Sequence, residues 1–184
     1  MSFLGLKVPH ETARLLGGLE VPGKREAVSS LHVTMFYFGD ELDIERLTSI
    51  IRVTFGVVND AKPFTVRTSR ISSFPAGDEG SPIICRIESD ALHNLRDKIR
   101  MAYEEAGIEF SNRHPEYKPH VTLAYSDEGD FEERRIPTVE WGAHELVLWG
   151  GDSGDDKLVV HFPFVLGDLE KMAFRVTQRY RGRS

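Results

Sequence analysis

The amino-acid sequence predicts an α+β domain built from two related lobes. Segments rich in β-branched and aromatic residues alternate with segments whose apolar residues recur at helical spacing. The order strand, helix, strand occurs twice, and each time the last strand carries the same tripeptide, His32-Val33-Thr34 and then His120-Val121-Thr122. Such recurrence reads as a degenerate internal repeat rather than a short-period solenoid.

Element by element, Phe3 to Val8 reads as a strand, and Pro9 opens a short helix near His10 to Leu16 that Gly17 and Gly18 stop. Leu31 to Phe38 is a clearer strand, closed by Gly39-Asp40. Asp43 caps a helix with Ile44, Leu47, Ile50, Ile51, Thr54 and Val58 at helical spacing. Phe64 to Phe74 returns to strand, and Pro75 to Pro82 is a Gly/Ser/Pro loop. The second half repeats the order. Ile83 to Ile87 is a strand, and Ser89 or Asp90 caps a helix carrying Leu92, Leu95, Ile99, Ala102 and Ala106 that Gly107 ends. Strands follow at Val121 to Tyr125, Glu145 to Trp149 and Lys157 to Phe162. The domain is expected over 1–165. The remainder, 166–184, is read as an amphipathic helix from Asp168 to Tyr180 with a basic tail, its polar face meeting water.

At 184 residues the chain can bury a substantial core without disulfides or metals. No apolar run reaches the roughly 18 residues of a membrane span, and the N-terminus lacks a secretory signal, so a cytoplasmic protein is expected. The lone Cys85 lies in an apolar run and reads as a small buried hydrophobe. A net charge of −6 argues against a long nucleic acid, whose affinity comes from many Lys and Arg contacts to phosphate, but is compatible with a short or cyclic nucleotide. Charge is uneven: the last fourteen residues hold Lys171, Arg175, Arg179, Arg181 and Arg183, whereas Asp127 to Glu133 is acidic.

The chemistry is carried by the two His-x-Thr tripeptides. Side chains alternate along a strand, so His32 and Thr34 share a face, as do His120 and Thr122. With the two strands side by side, all four polar groups line one concave surface, and Val33 and Val121 pack the opposite layer. A phosphodiester needs a base for the attacking hydroxyl or water, an acid for the departing oxygen and donors for the nonbridging oxygens. Two imidazoles can divide the first two tasks near neutral pH, and two threonine hydroxyls supply the donors. The scheme requires no metal and no cofactor. A zinc site from His32, His120, His114 and Cys85 is disfavoured because their spacing is not that of structural sites.

The segments Leu31-His-Val-Thr-Met-Phe-Tyr-Phe-Gly39 and Pro119-His-Val-Thr-Leu-Ala-Tyr125 resemble the paired signature of the 2H phosphoesterase superfamily, which includes 2′-5′ RNA ligase-like proteins. The opening Phe3-Leu-Gly-Leu-Lys-Val-Pro9 and the helix before Gly107 match as well. The resemblance implies antiparallel-rich lobes around a central cleft. It also implies metal-independent opening of 2′,3′-cyclic phosphates, or cleavage of 2′-5′ or cyclic oligonucleotide linkages. It assigns His32 and His120 as the acid/base pair and Thr34 and Thr122 as phosphate-binding hydroxyls, leaving open which histidine is the base. From Glu145-Leu-Val-Leu-Trp-Gly-Gly151 onward the chain is similar to bacteriophage 2H proteins, some of which destroy cyclic nucleotide signals of host immunity in the host cytoplasm.

Around the motifs, Tyr117 and Lys118 are candidate substrate contacts, an aromatic for a base and an ammonium for phosphate. Phe36 is a further candidate because it shares the alternation of His32 and Thr34, although strand aromatics are usually core, as are Trp141 and Trp149. His10, His93, His144 and His161 read as structural or solvated. Gly150-Gly151 and the following Asp152-Ser-Gly154 read as a hairpin turn rather than a phosphate loop. The competing function is a nucleotide-binding module that keeps the cleft without turnover. A true RNA ligase is disfavoured by the acidic composition and the lack of a nucleotide-activation lysine motif. The sequence leaves the oligomeric state undetermined.

Overall fold

The Asp43 carboxylate accepts from the Arg46 amide at 2.7 Å, and the Ser89 hydroxyl accepts from the Leu92 amide at 3.3 Å, so both main helices start where their capping residues stand. The computed structural model describes residues 1–112, 116–129, 131–150, 158–165 and 176–177. The first half runs β1 (Ser2–Lys7), α1 (His10–Gly17), β2 (Lys24–Arg25), a 3-10 turn (Val28–Ser30), β3 (His32–Gly39), α2 (Ile44–Val58) and β4 (Phe64–Ser73). The second runs β5 (Ser81–Glu88), α3 (Asp90–Glu105), β6 (His120–Ser126), β7 (Arg134–Arg135), β8 (Glu140–Ala143), β9 (Glu145–Gly150), β10 (Leu158–Pro163) and β11 (Val176–Thr177).

Among the described residues, eleven strands join one antiparallel sheet in the order β11-β10-β9-β1-β3-β6-β5-β4-β7, with β2 on β6 and β8 on β4. Its two halves meet at one register pair, Val33 with Val121. Beyond it, β2 takes the edge of β6 at Tyr125 and Ala124, so β3 and β6 diverge and the halves splay into two lobes. The lobes are not simply the first and second halves of the chain. Strand β9 returns to pair with β1, and β10 adds outside β9 to complete the first lobe.

β3 and β6 have the same exposure profile. The motif His and Thr are half-buried around a fully buried Val, two consecutive buried residues follow, and then a half-buried tyrosine. The cause is a bulge in each. The partner strand shifts register between Leu4 and Gly5 opposite Phe36 and Thr34, and between Ile83 and Ile84 opposite Ala124 and Thr122. Gly5 is required at the first shift, since a Cβ there would lie 2.2 Å from the Val33 carbonyl oxygen.

Helix α2 packs on α3 and β10, and α3 on β4. Ile50, Thr54 and Val58 are buried as their spacing predicts, but Ile44, at the first turn of α2, is 77% exposed. Gly107 ends α3 with φ +68°, the left-handed conformation glycine adopts without strain. The helix expected over 168–180 falls largely outside the described residues, and its described positions Val176–Thr177 are strand, paired with Val159 and Val160. The basic tail and the turn at 151–154 lie outside the described residues too. No helix among the described residues is long and apolar enough to cross a membrane.

Candidate active site

Antiparallel register places the two motifs together. Val33 pairs with Val121, so one residue either way brings His32 across from Thr122 and Thr34 across from His120. All four side chains are half-buried on one face, while both valines are fully buried on the other.

The two imidazoles are held alike. His32 Nδ1 lies 2.7 Å from the Ser30 carbonyl, and His120 Nδ1 lies 2.7 Å from the Lys118 carbonyl, each two residues upstream. A carbonyl only accepts, so Nδ1 carries the proton in both rings and Nε2 is the nitrogen that exchanges protons toward the cleft. Their flanks differ. His32 stacks on Phe3 at 4.4 Å, and Phe3 stacks on Trp149 at 4.8 Å. His120 instead meets the Phe74 ring edge-on at 4.9 Å. Burial pulls the His32 imidazole below its ordinary pKa, against smaller upward pulls from the Ser30 carbonyl and the Glu26 carboxylate.

Of the remaining sequence candidates, Tyr117 is a partly buried strut. Its hydroxyl donates to the Thr34 carbonyl at 3.3 Å and its ring carries the Arg96 guanidinium at 4.3 Å. Burial pushes the phenol pKa well up, only partly opposed by Arg96. Lys118 is exposed and pairs with Glu116 at 3.0 Å, so its carbonyl serves His120 while its ammonium stays at the rim. Phe36 does not share the face of His32. The bulge carries it into the core at 2% exposure, edge-on to Tyr103 and Phe110, which corrects its reading as a substrate contact. Cys85 is buried as expected, with burial raising its thiol pKa to about 12. His114 lies outside the described residues.

Sequence reasoning missed Phe3 and Phe74, the aromatic neighbours of the histidines, and treated Trp149 as core although it is half-buried beside Phe3 and His32. It also passed over Lys7 and Arg86, the register partners of His32 and His120. The available signal was that each is the single charge in its predicted strand, Phe3 to Val8 and Ile83 to Ile87.

The model of the family described as the 2′-5′ RNA ligase superfamily matches residues 9–155, a span that includes both motifs. The chain belongs to the 2′-5′ RNA ligase superfamily. Membership agrees with the 2H phosphoesterase resemblance and makes this an enzyme of phosphodiester chemistry. None of the curated proteins matches the sequence. Among solved structures, the fold is similar to TT0787 of Thermus thermophilus, with TM-score 0.71 and 18% identity over 89% of this chain and 97% of that one. It is similar also to E. coli LigT complexed with 3′-AMP, with TM-score 0.63 and 17% identity over 97% of this chain and 94% of that one. These likenesses speak for the fold, an α+β arrangement around an antiparallel-rich sheet.

Proposed function

We propose that the protein is a metal-independent phosphodiesterase in which His32 and His120 share acid/base catalysis and Thr34 and Thr122 hold the nonbridging oxygens. The observation that carries the reading is the matched pair of imidazoles on one face, each fixed through Nδ1 to the backbone two residues upstream. His32, kept neutral by burial, is the base. Its Nε2 takes the proton of the attacking hydroxyl, which adds to phosphorus as His120 Nε2 delivers a proton to the departing oxygen. Attack by a neighbouring ribose hydroxyl leaves a cyclic phosphate, whereas attack by water leaves a monoester. The threonine hydroxyls donate to the charge that develops on phosphate oxygens in the transition state.

The substrate class is a small nucleotide: a 2′,3′-cyclic phosphate, a 2′-5′ linkage or a cyclic oligonucleotide. Signals of host immunity are candidates on the strength of the C-terminal similarity to bacteriophage proteins. The test is turnover of that panel in excess EDTA by the native protein, His32→Ala and His120→Ala. Cleavage of one class, lost by several orders of magnitude in both variants with the fold intact, is expected, with smaller losses for Thr34→Ala and Thr122→Ala. Full activity in His120→Ala overturns the mechanism. No turnover, with tight nucleotide binding retained, replaces it by a binding module.

A further inference from the structure

The pseudo-twofold axis through Val33 and Val121 relates more than the motifs. On the next strand outward it relates Lys7, the register partner of His32, to Arg86, the register partner of His120. Register partners project from one face with Cα atoms about 4.5–5.5 Å apart. Each histidine therefore has one cation beside it, on the side away from the central valine pair. In a chain of net charge −6 this is a local placement against the overall charge.

The Lys7 side chain is exposed and makes no hydrogen bond or ion pair among the described residues, while its backbone belongs to the β1 ladder opposite His32. Arg86 lies against the Phe74 ring at 5.9 Å, the same ring that makes a T-shaped contact with His120, and its Nε donates to Ser72 Oγ at 3.2 Å. The Glu133 carboxylate sits 3.8 Å from Arg86 and 2.8 Å from Arg70. An anion is thus already seated between two guanidiniums next to the site. Beside Arg86 opens a depression of about 410 Å³ lined by Arg70, Arg86 and Lys118 and by the carboxylates of Glu88, Glu116 and Glu133, within the size class of small-ligand sites.

We propose that Lys7 and Arg86 bind the phosphates on either side of the scissile one, so that the substrate is an oligonucleotide or cyclic oligonucleotide with flanking phosphates rather than a lone cyclic mononucleotide. The inference rests on the phosphodiesterase reading and narrows its substrate. A nucleotide chain laid through the cleft carries one phosphate per step in both directions, which matches one cation outside each histidine. Arg86 offers a planar fork suited to phosphate, whereas Lys7 offers a point charge. On the Arg86 side, the incoming phosphate replaces the Glu133 carboxylate.

The experiment compares kcat/KM in EDTA for a 2′-5′ dinucleotide without terminal phosphates, the same dinucleotide with a 5′- or a 3′-phosphate, and a cyclic trinucleotide. Native protein, Lys7→Gln, Arg86→Gln and Glu133→Gln are measured. The native enzyme is expected to prefer phosphate-flanked substrates about tenfold or more. Lys7→Gln and Arg86→Gln each lower that preference about tenfold, chiefly through KM. Each also reduces the slope of log kcat/KM against log salt by about 0.7. Glu133→Gln raises the preference. No preference in the native enzyme, or variants that slow every substrate alike, overturns the inference. If nothing is turned over, the phosphodiesterase reading fails, and calorimetric Kd values for the same compounds decide this one: about tenfold weaker binding of flanked compounds in Lys7→Gln supports it, and unchanged Kd overturns it. Lys7 is exposed, so its variant keeps the test open should Arg86→Gln misfold.

Discussion

Replacing Arg96 by methionine tests how the first motif is held. Helix α3 places the Arg96 guanidinium between the rings of Phe36 at 5.0 Å and Tyr117 at 4.3 Å, and its Nε donates to the Met35 carbonyl at 3.2 Å. That carbonyl belongs to the bulge after Thr34, where the β1 ladder skips a residue, so it needs a donor from outside the sheet. Methionine keeps the aliphatic stem. It loses a hydrogen bond from a charged donor, about 1.5–3 kcal/mol, and two cation–π contacts of about 0.5–1 kcal/mol each. These share one group and do not add fully, so the expected loss is about 2–4 kcal/mol in urea denaturation. Arg96→Lys restores the charge but neither the flat stacking nor the fork, and regains less than half. Since the bulge fixes Thr34, kcat should fall about tenfold at temperatures where the variant is folded. A loss below about 0.5 kcal/mol, or full rescue by lysine, refutes the reasoning.

Burial depresses the His32 pKa, so between its folded value and the higher unfolded one the unfolded chain binds more protons. Stability is therefore lost as pH falls through that window and is fully present above it. Phe3→Ala removes the ring stacked on His32 and should move the acidic limb of kcat/KM to higher pH, with Trp149→Ala, one ring further at 5.7 Å, moving it less; a pH–rate series in which the limb stays or moves down contradicts this. Within the core, Tyr103 and Thr54 hydrogen-bond through their hydroxyls, both fully buried. Tyr103→Phe leaves the Thr54 hydroxyl unpaired and should cost about 1–3 kcal/mol, whereas the double variant with Thr54→Val recovers part of it in a denaturation cycle. Gly5→Ala forces a Cβ against backbone, 2.2 Å from the Val33 carbonyl oxygen, and should cost about 1–3 kcal/mol or more by thermal denaturation and lower activity, because Val33 separates His32 from Thr34.

Both motif strands, both long helices and their caps were legible because alternation, helical spacing and the Asp43 and Ser89 side chains act within a few residues. The shared face of His32, Thr34, His120 and Thr122 followed from the same alternation. Phe36 did not, since period-two reasoning assumes a regular strand and a bulge at Met35 depends on the partner, Gly5 on β1. Ile44 fits the helical period yet stays exposed, as the period does not specify where the covering layer stops. The two-residue strands β2 and β7 carry no periodicity at all. The neighbours Phe3, Trp149 and Phe74 were hidden for a different reason: which strands lie side by side is a matter of topology, and the repeat said nothing of β9 returning to β1.

That return explains how two copies of one tripeptide become an unequal pair. An acid/base couple needs one ring neutral and one protonated at the same pH, and only a difference in surroundings fixes which ring is which. The strands flanking the lobes differ. Beside β1, β9 brings Trp149, which stacks on Phe3 and through it covers the face of His32. Beside β5 stands β4, whose end leads to Phe74, and Phe74 meets His120 edge-on with a guanidinium beyond it. A stacked apolar slab raises the cost of charging the imidazole it covers. The motif and its bulge are supplied twice by the repeat, and β9, outside the repeat, distinguishes the two histidines by what it lays beside only one of them.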